Sequence, residues 1–170
     1  PGARIGASQC VAQARGDVFV FLNPDCIGDA HTIEDLRAAL RTDARIGVLG
    51  VSVLAPDGTP ARGNRRRDPH LWRMAMSASG LSRFAARWPA LAGVEMLRAD
   101  DTTVAIETVE AISGACMTLP RAAFQRIGGF DEAYFLHAED LDLCRRARDA
   151  DFRVAIAPAI RVIHAQGSSS

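Results

Sequence analysis

Five consecutive apolar residues, Val18 to Leu22, end abruptly at Asn23-Pro24-Asp25. Bounded by polar residues, the run reads as a strand buried on both faces, the kind found in parallel sheets. A helix over residues 32–40 follows, with Thr32 able to cap it and Ile33, Leu36 and Leu40 on one face. Residues 46–54 return as a second strand, and Pro56-Asp57-Gly58-Thr59 then makes a tight turn. Strand, helix and strand in this order predict an α/β fold with a right-handed crossover, its mostly parallel central sheet flanked by helices.

The rest of the chain repeats the theme less regularly. Residues 5–15 are small and helix-compatible, and residues 62–67 form an arginine-rich loop. Two helical patterns cover residues 71–78 and 81–91, and strand-like segments cover residues 109–112 and 115–119. Pro120 suits the first turn of a helix that ends at Gly128-Gly129. A further helix is expected over residues 139–150, and two short strands, residues 153–157 and 160–163, lead to His164.

Charge and composition exclude several classes. With 48% hydrophobic residues, 24% charged residues and no net charge, the chain is unsuited to disorder. No apolar run approaches the roughly 20 residues that span a bilayer. All twenty basic residues are arginine, balanced by twenty acids, so no nucleic-acid partner is expected from the total. The balance is local, however: residues 57–98 hold eight arginines against three acids, while the remainder is acidic. Cys10, Cys26, Cys116 and Cys144 form no C-x-x-C pair and each lies in an apolar run, which predicts buried thiols in a reducing compartment.

Four constellations could carry chemistry. Asp25 stands just beyond the end of a strand, where open α/β sheets bind ligands, and Pro24 fixes the backbone before it. Such a carboxylate can hold Mg²⁺ or Mn²⁺, although an ordinary turn is the simpler account of the tripeptide alone. Between Phe130 and Arg146 five carboxylates lie among aromatic residues: Asp131, Glu132, Glu139, Asp140 and Asp142. In a helix starting near Glu139, Asp140 shares an inward stripe with Leu143, Cys144 and Ala147, while Asp142 faces outward with Arg145 and Arg146. An inward carboxylate there suits a general base; it equally suits a helix cap or a complement to the helix dipole. His164 leaves a strand end as Asp25 does, so the two could converge on one cation. Finally, Leu81, Phe84, Ala85 and Trp88 make a stripe, with Arg83 and Arg87 off it. A core-facing helix is the expectation, and contact with an anionic membrane or a pyrophosphate the alternative.

In this order the motifs resemble a family 2 glycosyltransferase, especially its rhamnosyltransferase-like branch. The resemblance rests on residues 21–25, on Ser113-Gly114-Ala115-Cys116-Met117, on Gly128-Gly129-Phe130-Asp131-Glu132, on residues 139–143 and on His164. It implies a GT-A fold, Rossmann-like, and inverting transfer of a hexose from a nucleotide-diphosphate donor. In its terms Asp25 and His164 look like ligands of the divalent cation, and Asn23 stands at the first position of a D-x-D-like motif. Glu139 and Asp140 look like the catalytic pair, with Asp140 the catalytic base. Asn23, Gly114, Ala115, Asp131 and Glu132 would contact substrates. A dTDP- or UDP-sugar, rhamnose among the candidates, is the expected donor. A glycan or polyprenyl-linked acceptor in cell-envelope polysaccharide synthesis is expected with it, in the cytoplasm with peripheral contact at the inner face of the membrane.

Single displacement needs one base and one cation but no protein nucleophile, which agrees with the absence of any serine or cysteine triad. In this family a strand, helix and second strand that hold the nucleotide base normally precede the position where this sequence begins. The resemblance therefore implies one domain over residues 1–170 that lacks this segment and stops early. A fold that binds glycan or a partner without catalysis is the alternative.

Overall fold

The computed structural model describes residue 11 and residues 13–61, 63–85, 87–96, 105–131 and 139–165. The expected helix over residues 5–15 lies largely outside them, as do Cys10, Arg62 and Glu132.

Eight strands and four helices are formed among the described residues. Strands β1 (Val18–Leu22), β2 (Cys26–Gly28), β3 (Ile46–Leu54), β5 (Glu107–Thr108), β7 (Cys116–Pro120) and β8 (Arg153–His164) make the main sheet, in the order β1-β7-β3-β8-β2 with β5 also on β8. Strands β4 (Arg65–Arg66) and β6 (Ala111–Ile112) form a separate two-stranded ribbon. The helices are α1 (Thr32–Arg41), α2 (Leu71–Ala78), α3 (Arg121–Ile127) and α4 (Glu139–Asp149).

The class is α/β as expected, but the sheet is mixed rather than mostly parallel. Among the described strands of the main sheet only β3 and β8 pair in parallel; β1–β7, β3–β7, β2–β8 and β5–β8 are antiparallel. The reason is the insertion of β7 between β1 and β3, antiparallel to both. The two strands that suggested a simple crossover therefore run the same way without touching. Strand β1 is also less buried than its apolar run suggests, with Phe19 buried but Leu22 exposed, because it ends the order of described strands. Strand β3 lies inside the sheet, and its first eight residues are buried.

The sheet separates two apolar layers. On one face α1 presses Leu36 and Leu40 against Leu49, Val51, Val53 and Val162. Its expected third contact, Ile33, is exposed, and the buried Thr32 takes that place. The turn before α1 is held by Asp29, whose Oδ1 accepts from His31 N at 2.8 Å and Thr32 Oγ1 at 3.0 Å. On the other face α3 and α4 bring Phe124, Ile127, Leu143, Cys144 and Ala147 onto Phe19, Val48, Met117 and Ile156. Pro120 is the residue preceding α3, and Gly128 and Gly129 end it with φ of 87° and 72°, which an L side chain rarely adopts. This reversal returns Phe130 to the β1 side, with its ring 4.9 Å from that of Phe21 and 5.7 Å from that of Phe124.

Two further expectations change. The strands over residues 153–157 and 160–163 are one strand, β8, whose register against β3 slips between Val51 and Ser52. The helix over residues 81–91 is instead two 3₁₀ turns, Leu81–Phe84 and Pro89–Leu91, so its apolar stripe does not face the core: Phe84 and Trp88 are exposed.

Candidate active site

The end of β1, the entrance to β7 and the first turn of α4 meet. Asn23 N–H donates to Ala115 O at 3.0 Å, and Asn23 O accepts from Cys26 N at 3.0 Å, which folds the Asn23-Pro24-Asp25 turn back towards β2. Strand β2 pairs with the end of β8 so that Cys26 lies opposite His164. Ala165 N donates to Asp25 O at 2.9 Å, and His164 Nε2 stands 2.9 Å from Asp25 Oδ2. Two residues separated by most of the chain are thus joined by one strand pairing.

Asp25, Cys26 and His164 each offer an atom to a group that spans no more than 4.8 Å. Burial, then the neighbouring Asp25, push the Cys26 thiol up from its ordinary value, so at neutral pH it carries its proton. Hard cations such as Mg²⁺ and Mn²⁺ also prefer oxygen donors to sulfur. The remaining donors, a carboxylate oxygen and an imidazole nitrogen, fit Mn²⁺ or Mg²⁺ that takes further oxygens from water and phosphate.

Asp140 is the second focus. It is buried at the start of α4, in the same inward stripe as Leu143, Cys144 and Ala147. Its Oδ2 accepts from Gly114 N at 3.0 Å and from Arg66 Nη1 at 3.2 Å; its Oδ1 accepts from Leu141 N at 2.8 Å. Asp142 is only half-buried and does not simply face water: it pairs with Arg146, which donates to Ile127 O and Gly129 O and so ties α4 to the end of α3. A cavity of about 220 Å³ opens over Asp140, lined by Asn23, Arg66, Ser113, Gly114, Ala115 and Glu139. A larger cleft of about 610 Å³ runs along β1 and shares Asn23, Gly114, Glu139 and Asp140 with it.

Most of the residues singled out in the sequence therefore converge. Asn23, Gly114, Ala115, Glu139 and Asp140 line the first cavity, and Asp25 and His164 adjoin it through the Asn23 turn. Asp131 is exposed beside Phe130 and is not among the residues that line either cavity. Arg66 was missed as a site residue. Its signal was present only as one of three consecutive arginines, Arg65 to Arg67. The pairing of β4 with β6 separates them: Arg65 turns inward to Glu107 at 3.3 Å, while Arg66 reaches Asp140.

The site thus joins a carboxylate facing a polar cavity to a carboxylate–imidazole pair beside it, on a mixed α/β sheet. The chain belongs to the glycosyltransferase-like family 2, whose family model matches residues 2–170. It is 32% identical over 154 residues to an N-acetylglucosaminyl-diphospho-decaprenol L-rhamnosyltransferase of Mycobacterium tuberculosis, covering 91% of this chain and 48% of the relative. It is 22% identical to the low-salt glycan biosynthesis hexosyltransferase Agl10 of Haloferax volcanii, over 97% of this chain and 48% of that one. The chain thus spans about half the length of these curated relatives. Among solved structures it resembles GalNAc-T7 with UDP, GalNAc and Mn²⁺, at a TM-score of 0.60 and 15% identity over 95% of this chain and 31% of that one.

Proposed function

We propose that this chain is the catalytic and acceptor-side part of an inverting, metal-dependent glycosyltransferase of cell-envelope polysaccharide synthesis. Its donor is a dTDP- or UDP-sugar, rhamnose by similarity to the mycobacterial relative, and its acceptor a polyprenyl-linked glycan met at the cytoplasmic face of the membrane. The observation that carries this reading is the placement of Asp140: a buried carboxylate, oriented by Gly114 N–H and Arg66, opening on the cavity that Asn23 shares.

In this reading the acceptor hydroxyl oxygen attacks the anomeric carbon of the donor from the face opposite the diphosphate. The new C–O bond forms as the bond to the diphosphate oxygen breaks, and the diphosphate leaves with the electron pair. Asp140 takes the hydroxyl proton. A cation held by Asp25 and His164 would supply neutralisation of the leaving charge. Arg66 and Gly114 fix the carboxylate in one orientation, so that the base need not be ordered during the reaction. Glu139, exposed on the same rim, and Asn23 are placed to contact the sugar or its phosphates.

Calorimetric titration of the chain with dTDP- and UDP-sugars and Mn²⁺ tests the reading. Nucleotide binding that needs the cation and is weakened by Asp25→Ala is the expected result. The absence of any nucleotide-dependent heat would favour a fold that binds glycan without turnover.

A further inference from the structure

The segment between β4 and residue 96 forms a lobe with one side fixed to the active site. It leaves and returns on the same strand, with Arg67 N donating to Val94 O at 2.7 Å and Met96 N to Arg65 O at 3.0 Å. At its root Asp68 pairs with Arg148 of α4 at 2.8 Å, and Arg73 with Glu110 at 2.6 Å. The strand that carries the lobe is therefore the one from which Arg66 reaches Asp140.

Its outer side has a different character. Leu71 is 86% exposed, Trp72 54%, Met74 52%, Phe84 42% and Trp88 57%. The Arg83 guanidinium lies 4.8 Å from the centre of the Phe84 ring, and the Phe84 and Trp88 rings are 6.5 Å apart. No acidic residue occurs between Asp68 and Glu95, while Arg73, Arg83 and Arg87 do. Arg73 is taken up by Glu110; among the described residues neither Arg83 nor Arg87 has a carboxylate partner.

We propose that this lobe seats the protein on an anionic lipid surface. Leu71, Met74, Phe84 and Trp88 enter the boundary between headgroups and acyl chains, and Arg83 and Arg87 pair with lipid phosphates. Tryptophan and arginine are amphipathic: each places an apolar body in that boundary and a polar end at its wet side. Charge decides between occupants. A second copy meeting it lobe to lobe would bring the same arginines and, between Asp68 and Glu95, no carboxylate, and so would oppose rather than neutralise them. Lipid phosphates supply the missing sign. The purpose assigned to the contact rests on the transferase reading: a lobe rooted beside Asp140 would hold the cavity where the diphosphate of a lipid-linked acceptor leaves the bilayer.

The chain's two tryptophans, Trp72 and Trp88, both lie in this lobe, so its tryptophan emission reports on this lobe. Vesicles of phosphatidylcholine with and without phosphatidylglycerol serve as the probe, read by emission shift and by flotation. A blue shift and co-flotation are expected with the anionic vesicles and not with pure phosphatidylcholine. Binding should fall by more than about tenfold in Arg83→Glu/Arg87→Glu. Phe84→Ser should also weaken it, while Ile33→Ser, exposed on α1 away from the lobe, should bind as the parent does. Three results would overturn the assignment: no binding to anionic vesicles, binding unchanged in the double-charge variant, or a blue shift that tracks protein concentration without lipid. Binding to polyglutamate but not to vesicles would also overturn it, assigning the lobe to an acidic protein. Nucleotide titration is read separately, so vesicle binding without nucleotide binding would count against the transferase reading and the purpose assigned to the contact, while leaving the membrane contact itself standing.

Discussion

Asp140 has three donors directed at it: two on Oδ2 and one on Oδ1. A carboxylate can accept about four hydrogen bonds, so one position remains for an acceptor hydroxyl. Asp140→Asn keeps the shape but removes the ability to take a proton. Transfer should fall by about 10²-fold to 10⁴-fold while Mn²⁺ binding at Asp25 and His164 is retained, measured as turnover and calorimetry on the same preparation. Full turnover would eliminate Asp140 as base. Arg66→Ala tests the orientation separately. It removes a charged donor from a partly buried pair and should cost at least about 1 kcal/mol of stability by urea denaturation, with Arg66→Lys recovering part of it. Cys116 and Cys144 are pushed up to about 12, above all by burial, so both should resist alkylation until the protein unfolds. At this scale the sequence was informative where chemistry depends on a chain position. The inward stripe at Asp140 follows from helical periodicity, and the buried thiols at 26, 116 and 144 from their apolar neighbours. Arg66 was hidden because its partner is 74 residues away and only the β4–β6 pairing selects it from its neighbours.

Elements were legible when their pattern was long and local. The strand over residues 46–54 and the helices at 71–78 and 139–149 fall where periodicity puts them. Strand direction was not legible, because it is set by which later segment fills the gap between β1 and β3, and β7 lies some 60 residues on from β3. The 3₁₀ turns failed for a related reason. An i, i+3, i+4 spacing marks a helix only if a neighbour covers the stripe, and none of the described residues buries Phe84 or Trp88. The lobe instead depends on its polar root, which titrates. Burial raises the Glu110 carboxyl, but the Arg73 guanidinium and Asp68 N–H outweigh it and hold the group below its ordinary value. The folded state therefore binds this proton less readily than the unfolded one. The stabilisation is fully present above the ordinary glutamate value of about 4.3 and is lost as the pH falls through the depressed folded value. Tryptophan fluorescence followed from pH 7 into acid should register loosening of the lobe in that window. Glu110→Gln should flatten the dependence there and lower stability at neutral pH. An acid transition identical in both proteins would remove Glu110 as its origin.

Across the whole molecule the two faces of the sheet have different duties. Leu36 on α1 and Leu143 on α4 are both fully buried, in clusters on opposite sides of the strands. Truncating either to alanine should cost about 2–5 kcal/mol, because each leaves a cavity that its neighbours fill only in part. Their effects on catalysis should differ. Leu143 lies one turn after Asp140 in the same stripe, so a void there loosens the seat of the proposed base and of the Gly114 and Arg66 contacts. Leu36 supports α1, which supplies no residue to either cavity. The same division underlies the charge pattern, in which the basic middle carries Arg66 and the lobe while the acidic remainder carries Asp25 and Asp140. Unfolding in urea should place the two variants close together, whereas turnover per folded molecule should fall in Leu143→Ala and hold near the parent in Leu36→Ala. Equal loss of turnover in both would mean that the site depends on the integrity of the entire sheet, and would dissolve the distinction between a catalytic and a supporting face.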